Sequence, residues 1–209
     1  MAFHGIKVNE EDQVVKAVAD AVSGIPFVVG TCPVHLSENG EGVVNTPVLI
    51  KNMDEAKKKL GYSEDFEKYT ACEVMYTSFK LFGVSPVVFV NVLDPAKHSK
   101  AFSKQTITVD KSQAIVPIEG ALKKGLKVTA ESTNLEENTD YILATKDDKL
   151  CITLLPSGKA SAALTVEVEG KQVDPTMVTD EDIIGGFNAG DGTETGLELI
   201  RQVYPRFGI

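Results

Sequence analysis

The sequence predicts an α+β or α/β chain with three parts. These are a partial three-layer α/β domain, a small antiparallel β-sandwich or barrel inserted into it, and an extended N-terminal arm. Three observations lead there. Residues 86–93 (PVVFVNVL) are almost wholly apolar, as in a strand covered on both faces. From about residue 105 the texture changes to short alternating strands separated by turn signals. Helical signals return after residue 178. The expected divisions are therefore an arm over 1–20, a discontinuous core over 21–105 and 179–209, and an inserted β domain over 106–178.

The arm mixes Phe3, Ile6, Val8, Val14, Val15 and Val18 with acids, amides and lysines. Residues 6–9 alternate with period two, as a half-buried strand does. The arm has neither the basic start nor the unbroken apolar run of a signal peptide. A segment of this kind is not stable alone. It must pair with a sheet edge, on its own chain or on a neighbour.

In the core, residues 25–30 and 47–50 read as short strands, with Pro26 at a strand start. Asn52 and Glu55 have capping-box spacing. That helix ends in Lys57, Lys58 and Lys59 ahead of Gly61, which complements the helix dipole. Thr70 and Glu73 predict a second capping box. Behind them Val74, Met75, Ser78, Phe79 and Phe82 share one helical face, and Gly83 closes the helix.

Six strands are predicted in the β region, at 105–109, 114–118, 126–130, 141–145, 150–155 and 163–169. Thr179 with Asp182, and Thr195 with Glu198, predict two further helix starts. Leu197, Ile200, Val203 and Tyr204 share the last helical face, and residues 205–209 read as a loop entering a new strand. Few apolar strands are visible for a closed sheet, so the sheet is small or the chain is a fragment.

Composition narrows the function. The 209 residues carry a net charge of −9 with no basic stripe, so nucleic acid is not an expected partner. No apolar run reaches the roughly 18 residues of a membrane span, so no membrane partner is expected either. Cys32, Cys72 and Cys151 are scattered in apolar settings and read as buried free thiols. His4, His35 and His98 share no metal-ligand spacing with one another, and no cysteine has a CxxC partner. The glycine cluster over 185–196 lacks the spacing, preceding strand and following Lys-Ser or Lys-Thr of a phosphate loop. It reads as a flexible connector. No catalytic residue, cofactor or metal is therefore expected.

Taken together, the blocks resemble the sheath proteins of contractile phage tails and related injection machines. The resemblance rests on the opening Phe3-His4-Gly5-Ile6-Lys7-Val8, then FVVGTCP at 27–33, NTPVLI at 45–50 and PVVFVNVLDP at 86–95. Its most specific block is DPTMVTDEDIIGG at 174–186, followed by TGLELI at 195–200 and PRFG at 205–208. Such proteins continue further, into more α/β core and a C-terminal region that engages neighbours. This chain thus reads as the N-terminal portion of a sheath subunit, or as a shortened relative.

The resemblance implies a structural, non-enzymatic subunit that polymerises around a tail tube and contracts to drive injection. Its implied partners are other copies of itself and the tail tube protein. Its implied location is the virion tail, after assembly in the bacterial cytoplasm. The β domain would face outward from the tail. The arm, through Phe3, His4, Gly5, Ile6, Lys7 and Val8, would add a strand to a neighbouring subunit. Two other readings stand beside it: a protein- or carbohydrate-binding module using the β domain, and an α/β enzyme with a β lid.

Overall fold

The computed structural model describes residues 24–40 and 42–207. The expected arm, residues 1–20, lies outside the described residues. The architecture is α+β: helices accompany several small, separate sheets.

One sheet has three strands: β1 (Phe27–Gly30), β2 (Val48–Ile50) and β3 (Val87–Asn91). β3 lies in the middle. It runs parallel to β1, with Phe27 opposite Val88, and antiparallel to β2, with Val48 opposite Phe89. All five β3 residues are buried, as its two-sided apolar sequence requires. Val87 and Phe89 pack with Ile50, Met53, Leu60 and Met75. Val90 and the following Val92 pack with Leu199, and Phe27, Val29 and Ile183 border that cluster. The alternation of a strand therefore sends one face toward the first two helices and the other toward the C-terminal segment.

The first helix, α1 (Met53–Leu60), starts as its sequence predicts. The Asn52 side chain accepts from the Glu55 N–H at 2.9 Å. The Glu55 carboxylate accepts from the Lys51 N–H at 2.9 Å and pairs with Lys59 at 2.7 Å. The helix stops at Gly61, φ 79°. A Cβ there would lie 2.1 Å from the Pro33 carbonyl oxygen, so the turn admits only glycine.

The second helix departs from expectation. Helix α2 spans Thr70–Tyr76, so Thr70 is its first residue and not its cap. The Thr70 Oγ1 accepts from the Thr31 N–H at 3.2 Å, and the Thr31 Oγ1 accepts from the Thr70 N–H at 3.0 Å. Thr70 thus ties the helix to the end of β1, and the expected capping box with Glu73 does not form. After Tyr76 the chain makes a π-helical turn over Thr77–Phe82. The Thr77 hydroxyl donates to the Glu73 and Val74 carbonyls at 3.0 and 3.2 Å. The wider turn rotates the later side chains about the helix axis. Met75 and Ser78 stay buried, but Phe82, expected on the same face, is 75% exposed.

All six strands expected in the β region form. They are β4 (Ser99–Thr108), β5 (Gln113–Ile115), β6 (Lys127–Ala130), β8 (Tyr141–Lys146), β9 (Lys149–Leu154) and β10 (Thr165–Val173). A short β7 (Thr133–Asn134) follows β6. They make two antiparallel sheets, β4-β10-β6-β7 and β5-β9-β8. One core joins the two, with Ile107, Val128, Val166 and Val168 from the first and Ala114, Tyr141, Ile152 and Leu154 from the second. Asp140, almost fully buried, accepts from the Glu136 N–H at 2.9 Å and the Lys159 N–H at 2.8 Å, which fixes two loops at one end. The β4–β10 ladder reaches back to the pair Ser99 and Val173, so the change of texture near residue 105 falls within a strand.

The C-terminal segment holds a 3₁₀ turn (Pro175–Met177), α3 (Asp180–Ile184), the hairpin β11 (Gly186–Asn188) and β12 (Thr193–Thr195), a 3₁₀ stretch (Gly196–Gln202) and α4 (Val203–Phe207). The glycine cluster expected to be a flexible connector is this hairpin. Asn188 Oδ1 accepts from the Gly190 N–H at 2.9 Å, and Asp191 Oδ1 from the Thr193 N–H at 3.0 Å. Gly185 has φ 71°, and a Cβ there would lie 1.8 Å from the Thr195 carbonyl oxygen. Its glycine serves close approach, not flexibility. Thr195 does not cap with Glu198; its hydroxyl accepts from the Gly186 N–H at 3.2 Å. Residues 203–207 are helical, not a loop. Pro205 falls in the first turn of α4, where no N–H is needed.

The two phenylalanines at 82 and 89 should separate core from surface. Phe89→Ala should cost about 3–5 kcal/mol in urea unfolding. Phe82→Ser should change stability by no more than about 0.5 kcal/mol. Equal losses would contradict the rotation imposed by the π-helical turn.

Candidate assembly surfaces

In α/β sheets, small-molecule ligands bind beyond the carboxyl ends of the strands. Here the end of β3 is tied to neighbouring segments of the chain. Asn91, fully buried at the end of β3, accepts through Oδ1 from the Cys32 N–H at 2.9 Å and the Leu93 N–H at 3.0 Å. Its Nδ2 donates to the carbonyls of Val43 (3.4 Å) and Leu93 (3.3 Å). One side chain thereby joins the end of β1, the end of β3 and the loop before β2.

The titratable groups nearby are set for inertness. Burial pushes the Cys32 thiol well above its usual range and the Cys72 thiol to about 11, which keeps both as poor nucleophiles. All three cysteines are free and buried, as expected from their settings. His35 is buried with its ring 5.9 Å from Tyr69. Burial lowers its pKa to about 4, against a smaller opposing pull from Glu119. It is therefore neutral at pH 7. Among the described residues, no group of three His, Cys, Asp or Glu side chains is placed to hold a metal ion. No helix of the described residues is long and apolar enough to cross a membrane.

The most specific sequence block, 174–186, is a docking clip. Asp174 Oδ1 accepts from the Thr176 N–H and hydroxyl at 3.2 and 2.6 Å, and Oδ2 pairs with Lys100 at 2.8 Å. Asp182 Oδ2 accepts from the Thr179 N–H and hydroxyl, both at 2.9 Å. It also lies 3.4 Å from Nε2 of the buried His98. The Asp94 N–H donates to His98 Nδ1 at 3.0 Å, which leaves the ring proton of the neutral imidazole on Nε2, facing Asp182. His98 thus fastens α3 beside the start of β4. The spacing of the histidines gives His98 no partner, and no motif marks Asn91. The signal for Asn91 was a single polar residue inside an apolar strand.

Two kinds of surface remain for partners. Leu81, Phe82 and Val84 are exposed after α2, and Ile184, Phe187, Leu197 and Ile200 are exposed on the C-terminal segment. The outer edges of β1 and β2 pair with no other strand among the described residues. The residues expected to add a strand to a neighbour, Phe3, His4, Gly5, Ile6, Lys7 and Val8, lie outside the described residues.

No family model matches the chain, and no solved structure matches it. Over 99% of its length the chain is similar to the tail sheath protein of Burkholderia phage BcepMu, with 28% identity across 215 aligned positions. It spans 41% of that relative's length. This whole-chain similarity supports the tail sheath family that the order of its motifs implied, a family of bacteriophage structural proteins.

The clip makes an acid prediction. Hydrogen bonds from Lys100 and Thr176 hold Asp174 below the usual carboxylate range, and the Thr179 N–H and hydroxyl do the same for Asp182. Carboxyls lowered on folding add stability that is full above their unfolded value of about 3.9. That stability is lost as pH falls through the lower folded values. The double variant Asp174→Asn, Asp182→Asn should melt below the parent at pH 7, and the gap should close as pH falls below about 4. A gap that persists unchanged at low pH would show that charge is not what these residues contribute.

Proposed function

We propose that the chain is part of a structural subunit of a contractile tail sheath, in a phage or phage-like particle. The subunit polymerises around a tail tube and contracts to drive injection. Its partners are other copies of itself and the tail tube protein. Its place is the virion tail, reached after assembly in the bacterial cytoplasm. The observation that carries this reading is the similarity, along almost the whole chain, to a protein named as a tail sheath.

The physical chemistry agrees with it. Asn91 and its hydrogen bonds tie the end of β3 to β1 and to the loop before β2, a structural role. The outer edges of β1 and β2, which pair with no other strand among the described residues, and the exposed apolar side chains suit protein–protein packing. Contraction is then a two-state change in packing between subunits, with no bond-making step. The β region, 106–178 with the stem that precedes it, is an insertion that folds on its own core and faces away from the tube.

The arm is the proposed connector. Burying each of Phe3, Ile6 and Val8 contributes roughly 1.5–3 kcal/mol. Ordering the backbone costs roughly 1–2 kcal/mol per residue. Over residues 3–8 alone the two are of similar size, and ordering the rest of the arm adds only cost, so pairing repeated across a lattice decides the outcome. Deleting residues 2–20 from the full-length protein should abolish sheath tubes in electron micrographs and leave its circular dichroism unchanged. Normal contractile sheaths after the deletion would show that the arm does not connect subunits.

A further inference from the structure

Two exposed apolar patches of the core carry opposite charge. The first follows α2, where Leu81 is 57% and Phe82 75% exposed. Exposed Lys80 precedes it. The Ser85 hydroxyl donates to the Lys51 carbonyl at 2.7 Å, which sets exposed Lys51 beside it. Residues 74–93 contain no acid. The second patch is on the C-terminal segment. A Cβ on Gly196 would lie 2.5 Å from the Ile183 carbonyl oxygen, so exposed Ile184 and Leu197 flank one close approach. Exposed Phe187 stands opposite Glu194, whose carboxylate accepts from Gln202 Nε2 at 3.0 Å. Residues 179–200 contain six acids and no lysine or arginine. Asp180 and Glu181 precede Ile184 by four and three residues, the spacing of neighbours on a helix surface.

The patches belong to the covers on opposite faces of β3, α2 on one and the C-terminal segment on the other. The sheet lies between them, so they do not meet within one chain. Like patches on two copies would set Lys80 against Lys80, or acids against acids, and like charges oppose such a contact. Unlike patches are complementary. Their contact is heterologous: each copy keeps one patch of each kind to offer, so the contact propagates as a ring or a helix instead of closing as a dimer. An exposed aromatic side chain with charge beside it suits the centre and rim of a protein interface.

We propose that the Phe82 patch of one copy seats on the Ile184 and Phe187 patch of the next, with Lys80 against Asp180 and Glu181. The proposal rests on the sheath reading for its setting, a lattice of copies, and on the two patches for the contact itself. It gives the lattice a head-to-tail direction that the chain's own surface specifies.

Cross-linking between two preparations of the full chain tests it. One carries Ser85→Cys and the other Ala189→Cys with a mass tag, so each new thiol lies beside a patch without replacing it. The three native cysteines are buried, so a short bis-maleimide is confined to the new thiols. The mixed 85–189 product should exceed both same-site products. Phe82→Ser or Lys80→Glu on the first chain should lower it by roughly threefold to tenfold. Asp180→Lys with Glu181→Lys on the second chain should restore the product lost to Lys80→Glu. Circular dichroism checks that each variant is folded. Equal yields of all three products, an excess of a same-site product, or a mixed product indifferent to these substitutions would overturn the proposal. So would sheath tubes of the full-length protein that give no 85–189 product, an outcome that leaves the sheath reading standing. A charge-dependent mixed product from a protein that never forms tubes would keep the contact and remove the sheath reading.

Discussion

The core of the molecule depends on keeping β3 covered on all sides. Among the described residues it is the one strand of its sheet with neighbours on both edges, and all five of its residues are buried. A strand in that position needs a cover on each face and a partner for every backbone group. The first cover is α1 and α2, through Phe89, Leu60 and Met75. The second is the C-terminal segment, through Leu199 against Val90 and Val92. Asn91 completes the arrangement where the strand ends, because the N–H groups of Cys32 and Leu93 would otherwise be buried without an acceptor. The chain between these two covers is the whole β module. The C-terminal segment must therefore return across more than seventy residues, and the His98–Asp182 clip lies where it does so.

Much of this was legible in the sequence because it was local. The apolar run at 86–93 announced a doubly covered strand. The six strands of the β region came from alternation and turn residues. Asn52 and Glu55 marked a helix start that forms as written. What failed was decided by contacts distant in sequence. Thr70 has the spacing of a cap, but Thr31, thirty-nine residues away, takes its hydroxyl. Phe82 has helical spacing from Met75 and Ser78, but a π-helical turn moves it off their face. The glycines at 185–196 carry no strand propensity, yet backbone pairing and the Asn188 and Asp191 side chains order them into a hairpin. Neither His98 nor Asn91 had a motif, since each draws its partners from other parts of the chain.

The surfaces left over fit a protein that assembles. The long edge strand β4 carries Lys100 and Lys104, charges that discourage stray pairing. β1 and β2 are short and carry no such charge within their strands. The β module exposes Ile115, Ile142 and Leu164; in the core, exposed apolar side chains lie after α2 and on the C-terminal segment. With a named tail sheath protein matching nearly the entire chain at 28% identity, these are the regions the proposed sheath contacts would use.

Electron cryomicroscopy of intact tails from a particle encoding this protein tests that account most directly. The account predicts the β1-β3-β2 sheet with its flanking helices repeated in a lattice around the tail tube, the β module on the outer surface and density from a neighbouring subunit against the outer edges of β1 or β2. Finding the chain only in the capsid or baseplate, or in the sheath with those edges bare, would contradict it.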